Sequence, residues 1–284
     1  MKETVQMIDK KYSAGNIILF IILMIGGLLI LFPIFWMLST ALKSLPEIAQ
    51  YPPKIFPEKA LWGNFKIAWT KAPFTRYLLN TLLVVFFSVI GSVLSNSFIA
   101  YGFAKIDFKG RKTLFRLVLA TMMIPGFVTL IPQYVLFSKI GWVDSYLPLI
   151  VPLFCGNAFH IFMMRQFYMT IPDDLIQAGQ IDGASHFYIW AKLIMPMVKP
   201  VLASVALFSF KSAWGDFQGP LLYLSTRTKY TFQLGLQVFK GQGYTEWNYL
   251  MAVSLLSMIP SLTLFFLFQN YFIQGVNTSG AIKA

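Results

Sequence analysis

The sequence predicts an all-α integral membrane protein with six transmembrane helices, and its composition and long apolar segments support this prediction. Of its 284 residues, 57% are hydrophobic and only 12% are charged, and the mean hydropathy is +0.64. A soluble domain carries about 25% charged residues. Six segments reach the roughly 20 apolar residues that a spanning helix needs. We therefore treat residues 1–284 as one transmembrane domain.

The first segment, 17–38, has no charge and is too long for the h-region of a secretory signal, which has about 7–15 residues. The other predicted spans are about 77–101, 113–137, 146–164, 198–222 and 250–272. Pro125 and Pro132 interrupt the third span. Neighbouring helices can satisfy the carbonyls that such prolines leave free, so prolines do not exclude a membrane helix.

Six spans place both termini on one side, and the basic residues indicate the cytoplasmic side. Lys10 and Lys11 precede the first span. The short link between the second and third spans is also basic, with Lys105, Lys109, Arg111 and Lys112. With both termini cytoplasmic, the segment 165–197 faces the cytoplasm, and two long loops, 39–76 and 223–249, face outward.

Several other classes of function are disfavoured. The net charge of +12 comes from basic residues scattered over the loops, which fits lipid headgroups and topology better than nucleic acid. Cys155 is the single cysteine, and neither His160 nor His186 has a Cys or Glu at ligand spacing, so no metal site is expected. No P-loop or readable nucleophile and base occurs. We therefore expect no enzyme activity and no cofactor bound by this chain.

The stretch "QAGQIDGASHFYIWAKLIMPMVKP", 177–200, is unusually polar for its surroundings. Pro172 suits the first turn of a helix that runs to about Asp182 and stops at Gly183. Ser185 can cap a second helix, 186–195, which Pro196 ends. Small residues clustered on the first helix permit close approach of another backbone. The segment is therefore either a docking surface or a hairpin lying on the membrane.

Polar residues also occur inside the predicted spans. Ser88, Ser92 and Asn96 recur every four residues on one face of the second span, which suits helix packing or a lining for a solute pathway. Lys211 and Asp216 lie in the fifth span, about 140° apart around a continuous helix, and are poor partners for each other. Charges at such depth are costly and usually face protein or water.

The polar segment resembles the EAA loop of membrane subunits in binding-protein-dependent ABC importers. That pattern is Glu-Ala-Ala, three residues, Gly, nine residues, then Ile-x-Leu-Pro. Here Gln177-Ala178-Gly179 is followed by Gly183 and by Leu193-Ile194-Met195-Pro196 at the same spacing. The identities differ at Gln177, Gly179, Leu193 and Met195, and Gln177 in place of Glu removes the carboxylate that would form a salt bridge.

Further blocks resemble the carbohydrate branch of these importers, and in particular the maltose-type second permease. These blocks are "PIFWMLSTALKS", "NFKIAW", "FTRYLLNT", "YGFAKIDFKGR", "AWGDFQGPLLYL" and "GVNTSGAIKA". In "AWGDFQGPLLYL", Gly215 stands where Asn is common. The resemblance implies a type I ABC importer permease fold in a bacterial inner or plasma membrane.

The resemblance also implies roles for three sets of residues. The residues that would couple the chain to the ATPase are Gln177, Ala178, Gly179, Asp182, Gly183, Ala184, Leu193 and Pro196. The residues of the C-terminal tail that would contact the ATPase are Thr278, Ser279, Gly280 and Lys283. The residues of a scoop loop that would enter a binding protein are Gly241, Gln242, Gly243 and Tyr244. The polar residues inside the spans, together with Trp214, supply the candidates for the translocation pathway or gate: Ser92, Asn96, Lys211, Trp214 and Asp216. Of these, Asp216 lies at the family's acidic position.

The implied function is transport of a sugar, and most of its components would be partners. They are a second homologous permease, two ATPase subunits that bind ATP and Mg, an extracellular or periplasmic sugar-binding protein, and membrane lipids. Lys211 would pair with an acid on the partner permease or meet an acidic sugar. The alternatives are an ABC permease for a polyamine or glycerol phosphate and an ion-coupled secondary transporter.

Overall fold

The computed structural model describes residues 14–241 and 243–280, with side chains for 15–241 and 243–269. Within these ranges the regular structure is helical, and the one pairing of extended backbone is an isolated antiparallel bridge between Lys240 and Thr245. Four helices are long and apolar enough to cross a membrane. Two bent helix pairs raise the number of candidate spans to six, so the all-α membrane fold is confirmed.

The α-helices, in chain order, are α1 (Ala14–Ala41), α2 (Leu45–Ile48), α3 (Gly63–Thr70), α4 (Phe74–Lys105), α5 (Arg111–Ala120), α6 (Gly126–Lys139), α7 (Leu147–Ile150), α8 (Ala158–Tyr168), α9 (Asp173–Ile181), α10 (His186–Tyr188), α11 (Met195–Met197), α12 (Lys199–Gly215), α13 (Gln218–Tyr223), α14 (Phe232–Gly235) and α15 (Trp247–Gly280). Short 3₁₀ segments lie at 121–123, 151–155, 227–229 and 236–239, and 189–194 is a π-helix. The chain divides into two compact units, 1–72 with 238–257 and 73–237 with 258–284.

In the first unit, α1 is apolar on every side and exposes most of its side chains. Leu29 is 69% exposed and Ile30 is 76% exposed. A helix that is hydrophobic all round belongs in a membrane or in the interior of a large protein. Lipid or another subunit must therefore cover α1.

The loop that follows α1 is held by buried polar groups of the same unit. Asn64 Nδ2 donates to Ala41 O at 2.8 Å and to Lys43 O at 3.0 Å, which satisfies two carbonyls at the helix end. The buried Lys43 ammonium donates to Ile55 O at 3.4 Å and lies 5.2 Å from the centre of the Trp36 ring. The loop is thus a folded element attached to the end of α1.

In the second unit, α4 is the central helix, and α8 and α12 pack against it. Its buried face carries many small or polar residues, among them Ser88, Ser92, Asn96 and Ser97. At Gly91 an added Cβ would lie 2.4 Å from the Phe154 ring, so only glycine admits the 151–155 segment at this distance. Small residues on α4 therefore permit the close packing of this unit.

Two predicted spans are bent in the structure. Residues 111–123 and 126–139 meet at 98°, and the break falls at Pro125, while Pro132 lies within α6. The fifth predicted span, 198–222, is also discontinuous, because α12 ends at Gly215 and α13 begins at Gln218. The helix 186–197, which precedes this span, meets 199–215 at 87°.

Asp144, just before the fourth predicted span, holds a second loop of this unit in place. It has a left-handed φ of 59°, which Asp tolerates better than most residues. Its Oδ1 accepts hydrogen bonds from Ser225 N at 3.0 Å and Thr226 N at 2.9 Å, and Lys229 Nζ lies 2.9 Å from Oδ2. Hydrogen bonds from Thr226, Lys229 and Ser225 hold the pKa of Asp144 far below its usual range.

We expect acid to release the segment 225–229. Because the pKa of Asp144 is depressed in the folded state, its stabilisation is complete above the ordinary carboxyl pKa of 3.8 and is lost as the pH falls through the folded value. Protection factors of the Ser225 and Thr226 amides, measured by hydrogen exchange from about pH 5 to about pH 2, should fall. Asp144→Asn keeps a residue that tolerates the left-handed backbone and should show weaker protection without this pH dependence. Constant protection in the wild-type chain over that range would contradict the assignment.

Candidate functional site

The predicted coupling segment begins with α9, which is buried on one side and exposed on the other. Ile176 is buried, whereas Gln177 is exposed. Lys105 Nζ donates to Ile171 O at 2.5 Å and to Asp173 Oδ1 at 2.6 Å, which ties the start of α9 to the end of α4. Residue 172, the predicted first-turn proline, lies just before the helix with extended backbone.

The end of α9 is a Schellman turn centred on Gly183. Gly183 has φ +79°, its N–H donates to Gln180 O at 3.0 Å, and Ala184 N donates to Gly179 O at 2.9 Å. This pair of bonds satisfies the last carbonyls of the helix and requires a left-handed residue. Ser185 Oγ then accepts from Tyr188 N at 3.3 Å and caps the next helix. The predicted stop at Gly183 and cap at Ser185 are both present.

The second half of the segment differs from the single α-helix, 186–195, that the sequence predicts. A π-helix, 189–194, follows α10, and the helical path continues through Pro196 to Met197. Met195 N–H donates to Trp190 O, five residues earlier. A wide turn of this type often marks a functional region, and here Ile189, Trp190 and Ile194 are buried.

A buried polar cluster joins this second half to α4 and α8. Trp190 Nε1 donates to Ser97 Oγ at 2.9 Å, and Ser97 Oγ lies 2.6 Å from the Tyr168 hydroxyl. Farther along α4, the Tyr101 hydroxyl lies 3.0 Å from His186 Nδ1. The coupling segment is thus held to the spanning helices by side-chain hydrogen bonds as well as by the covalent chain.

The structure exposes five of the eight predicted coupling residues and half-buries the other three. The exposed members are Gln177, Ala178, Asp182, Gly183 and Pro196, and the half-buried ones are Gly179, Ala184 and Leu193. Gly179 faces inward, since an added Cβ would lie 3.2 Å from Ile189 Cγ1. Gly179 therefore brings the two short helices together, and the exposed residues are the ones available to a partner.

A polar cavity of about 160 Å³ lies among the spanning helices of the second unit. It is lined by Val84, Ser92, Leu149, Leu153, Asn157, His160, Ser209, Ser212, Ala213, Asp216, Pro220 and Thr231. Thr231 Oγ1 is buried, and no described residue supplies it with a hydrogen-bond partner. Hydroxyl, imidazole and carboxylate groups together give the cavity the capacity to bind a hydroxylated solute or water.

The predicted pathway residues Ser92 and Asn96 are both buried in a hydrogen-bond network beside this cavity. Ser209 Oγ donates to Ser92 Oγ at 2.8 Å, and Ser92 Oγ lies 3.1 Å from His160 Nδ1. Asn96 Nδ2 donates to Ser92 O at 2.6 Å, and its Oδ1 accepts from Asn157 N at 2.6 Å. Asn96 joins helices, whereas Ser92 both joins helices and lines the cavity.

Replacing Asn96 with alanine should destabilise the second unit. The change removes the hydrogen bonds that this fully buried amide makes with Ser92 and with Asn157 N, at a cost of about 1–3 kcal/mol in the free energy of unfolding. Thermal unfolding of the detergent-purified protein measures the effect. The control is the exposed Gln133→Ala, and equal unfolding temperatures for the two variants would contradict a structural role for Asn96.

The other three pathway candidates occupy different environments. Lys211 is exposed on α12, and Asp216 lines the cavity. Trp214 is buried, with its ring 5.6 Å from that of Phe210 and 6.3 Å from that of Phe232, so it packs the unit instead of lining the cavity.

The prediction that Asp216 continues the helix of Lys211 is wrong. Asp216 has extended backbone after the end of α12, and its Oδ1 accepts from Gly219 N at 3.0 Å. The competing local bond from carboxylate to backbone explains the break, because such bonds offer an alternative to helix continuation. The 140° separation of the two residues therefore does not apply.

In the first unit, the predicted scoop loop is a tight turn. Gly243 has φ +93°, and Gly241 N donates to Tyr244 O at 3.0 Å. Tyr244 is exposed at this turn, and Gln242 lies outside the described residues. In the predicted tail, residues 278–280 (Thr278, Ser279 and Gly280) continue α15 without described side chains, and Lys283 lies outside the described range.

The sequence did not predict the buried polar cluster or five polar residues of the cavity. They are Ser97, Tyr101, Tyr168, His186 and Trp190 in the cluster, and Asn157, His160, Ser209, Ser212 and Thr231 at the cavity. In the sequence, these residues are recognisable only as polar side chains among apolar ones. That pattern does not show which distant residue each side chain contacts. Only the packing of α4 against distant segments brings the groups together.

Residues 96–278 match the sequence family described as "Binding-protein-dependent transport system inner membrane component". The chain is 31% identical over 264 residues to the sn-glycerol-3-phosphate transport system permease protein UgpE of Pectobacterium atrosepticum, covering 90% of this chain and 94% of the relative. It is 29% identical over 273 residues to the arabinooligosaccharides transport system permease protein AraQ of Bacillus subtilis, covering 95% and 97%.

A solved structure shows the same fold. It is the crystal structure of a bacterial ABC transporter involved in the import of the acidic polysaccharide alginate, and one of its chains aligns with a TM-score of 0.79 at 23% identity, covering 92% of this chain and 99% of that one. The predicted fold is confirmed, and the family match extends from the middle of α4 through the coupling segment into α15. The chain belongs to the family of inner membrane components of binding-protein-dependent transport systems.

Proposed function

We propose that this chain is one of two homologous permease subunits of an ATP-driven importer of oligosaccharides, and that residues 177–196 couple it to an ATPase. The observation that carries the proposal is the two-sided coupling segment. Its outer side presents Gln177, Ala178, Asp182 and Gly183, while its inner side contributes Ile189 and other residues to the core around α4. A force applied to the outer side would therefore move the spanning helices.

The remaining parts of the importer would be separate chains. Two ATPase subunits would bind ATP and Mg and receive the coupling segment in a groove. A second permease would complete the translocation pathway, and a sugar-binding protein would deliver the solute at the loop around Gly243. In this arrangement both termini and 165–197 face the cytoplasm, and 39–76 and 223–249 face outward.

The relatives support two classes of solute. The name of the Bacillus relative specifies arabinooligosaccharides, and that of the Pectobacterium relative specifies sn-glycerol-3-phosphate. We propose an oligosaccharide because the sequence blocks also resemble the maltose-type permease. Glycerol phosphate is the second candidate, and a panel of labelled solutes offered to the purified importer separates the two.

Site-directed cross-linking tests the coupling proposal. With the native Cys155 replaced by serine, Gln177→Cys should form a cross-link to a co-purifying ATPase. Lys139→Cys, at the end of α6 on the predicted outer side, is the control and should not. A chain that purifies without an ATPase, or that cross-links equally from both positions, would overturn the proposal.

A further inference from the structure

Lys211 is a cation on an open face of a helix near the middle of a predicted span. It lies about 18 Å along α12 from its first residue, given the helical rise per residue. Its side chain is exposed, and no residue with a described side chain forms an ion pair with it. A lysine at this depth faces protein or water rather than lipid, because an unpaired charge in hydrocarbon is costly.

The same face of α12 carries an aromatic ring and a hydroxyl. On this helix Phe208 lies about 60° from Lys211 and about 40° from Ser212, so its ring lies between the lysine and the hydroxyl around the helix. The Phe208 ring stacks on His160 of α8, with centroids 6.4 Å apart and planes 14° apart. It also meets the Phe159 ring edge to face at 6.0 Å. An aromatic surface beside hydroxyl and charged groups suits a solute that is partly apolar and partly polar.

This face continues into the polar cavity through Ser212, which lines it together with Asp216. Two features indicate that the cavity receives hydroxyl groups. Thr231 is only 4% exposed, and its Oγ1 lacks a hydrogen-bond partner among the described residues. A buried hydroxyl without a hydrogen bond costs free energy. The Asp216 carboxylate accepts hydrogen bonds from hydroxyls but repels an anion.

We propose that Lys211, Phe208 and Ser212, together with the adjoining cavity, form a subsite for an anionic saccharide unit. The anionic group would contact the Lys211 ammonium, and ring hydroxyls would point toward Ser212, Asp216 and Thr231. The anion is a carboxylate or a phosphate, since an ammonium accepts either. This inference rests on the proposed importer function and adds the charge of its solute. The competing role for Lys211 is an ion pair with an acid on the partner permease.

The test uses the complete importer in proteoliposomes with ATP inside and its binding protein outside. Three labelled probes are compared: trigalacturonate, its fully methyl-esterified form, which has the same skeleton without charge, and glycerol 3-phosphate. We expect Lys211→Met to lower the ratio of anionic-probe uptake to methyl-ester uptake by about tenfold or more. Lys211→Arg keeps the positive charge and should show a ratio close to that of the wild type. The exposed Lys139→Met removes a positive charge elsewhere and should change neither.

Uptake of trigalacturonate by the wild-type importer supports the subsite and identifies its anion as a carboxylate. Uptake of glycerol 3-phosphate alone would favour the second candidate function and overturn the saccharide subsite. Uptake confined to the methyl ester or to a neutral arabinooligosaccharide, or an equal loss of charged and uncharged probes in Lys211→Met, would also overturn the subsite. Unchanged anion uptake in Lys211→Met would do the same. If none of these probes nor a neutral arabinooligosaccharide is taken up with ATP, the proposed function fails, and this inference fails with it.

Discussion

Replacing Gly183 with valine is expected to abolish ATP-driven uptake while the chain still inserts in the membrane. Gly183 has φ +79°, and an added Cβ would meet no atom within 4 Å, so the expected effect comes from the backbone rather than from a clash. A β-branched residue is strongly disfavoured at such an angle. The Schellman bonds from Gly183 and Ala184 would be lost, and the exposed face of α9 would change its direction. Uptake and ATP hydrolysis of the reconstituted importer, measured on the same vesicles, report this uncoupling.

Two further substitutions at Gly183 separate backbone strain from charge. Asparagine and aspartate have nearly the same shape, and both tolerate left-handed backbone better than most residues. Gly183→Asn should therefore retain most uptake, whereas Gly183→Asp places a charge on the proposed docking face and should lose it. Normal uptake by the valine variant would show that the turn does not need its left-handed residue for coupling.

Replacing Trp190 with alanine is expected to detach the coupling segment from the spanning helices. The buried indole contacts the Phe98 ring edge to face at 5.2 Å and donates its N–H to Ser97 at 2.9 Å. Loss of a buried Trp side chain costs about 3–5 kcal/mol in the free energy of unfolding. Thermal unfolding in detergent should show the loss of stability. Vesicle assays on the folded fraction should show ATP hydrolysis with reduced uptake.

Matched variants distinguish packing from hydrogen bonding at this position. Trp190→Phe keeps an aromatic ring and removes the N–H donor, which should cost about 1 kcal/mol. Phe187→Ala removes a ring that is 62% exposed, although it lies 5.4 Å from the Trp190 ring, and should cost clearly less than the loss of Trp190. If the alanine variants at positions 187 and 190 unfold alike, the anchoring role assigned to Trp190 is wrong.

The features that the sequence predicted correctly depend on local chemistry. Apolar length marks a membrane helix wherever it occurs, and it identified all four segments that are long and apolar enough to cross a membrane without being counted as a bent pair. Gly183 and Ser185 are likewise local signals, because a left-handed stop and a hydroxyl cap depend on neighbouring backbone groups. The turn between the two short helices could therefore be predicted without knowledge of the fold.

The errors depend on competition between local and distant interactions. Nothing in the apolar pattern of 198–222 indicates that the Asp216 carboxylate accepts a hydrogen bond from Gly219 and ends the helix there. The π-helix at 189–194 was missed for a related reason. Its buried Trp190 donates to Ser97, whose hydroxyl in turn lies beside that of Tyr168, and these residues are distant in sequence and come close only in the folded chain.

The exposure of α1 has a consequence for how its sequence can vary. A side chain packed in a core must match the shape of its neighbours, whereas one that faces lipid must only be apolar. Residues 17–32 of α1 are mostly exposed, and where lipid covers them they are constrained by the thickness of the bilayer rather than by the shape of a partner surface. Exchanges among Leu, Ile, Val and Phe there should leave transport unchanged. A deletion that shortens the helix should impair membrane insertion.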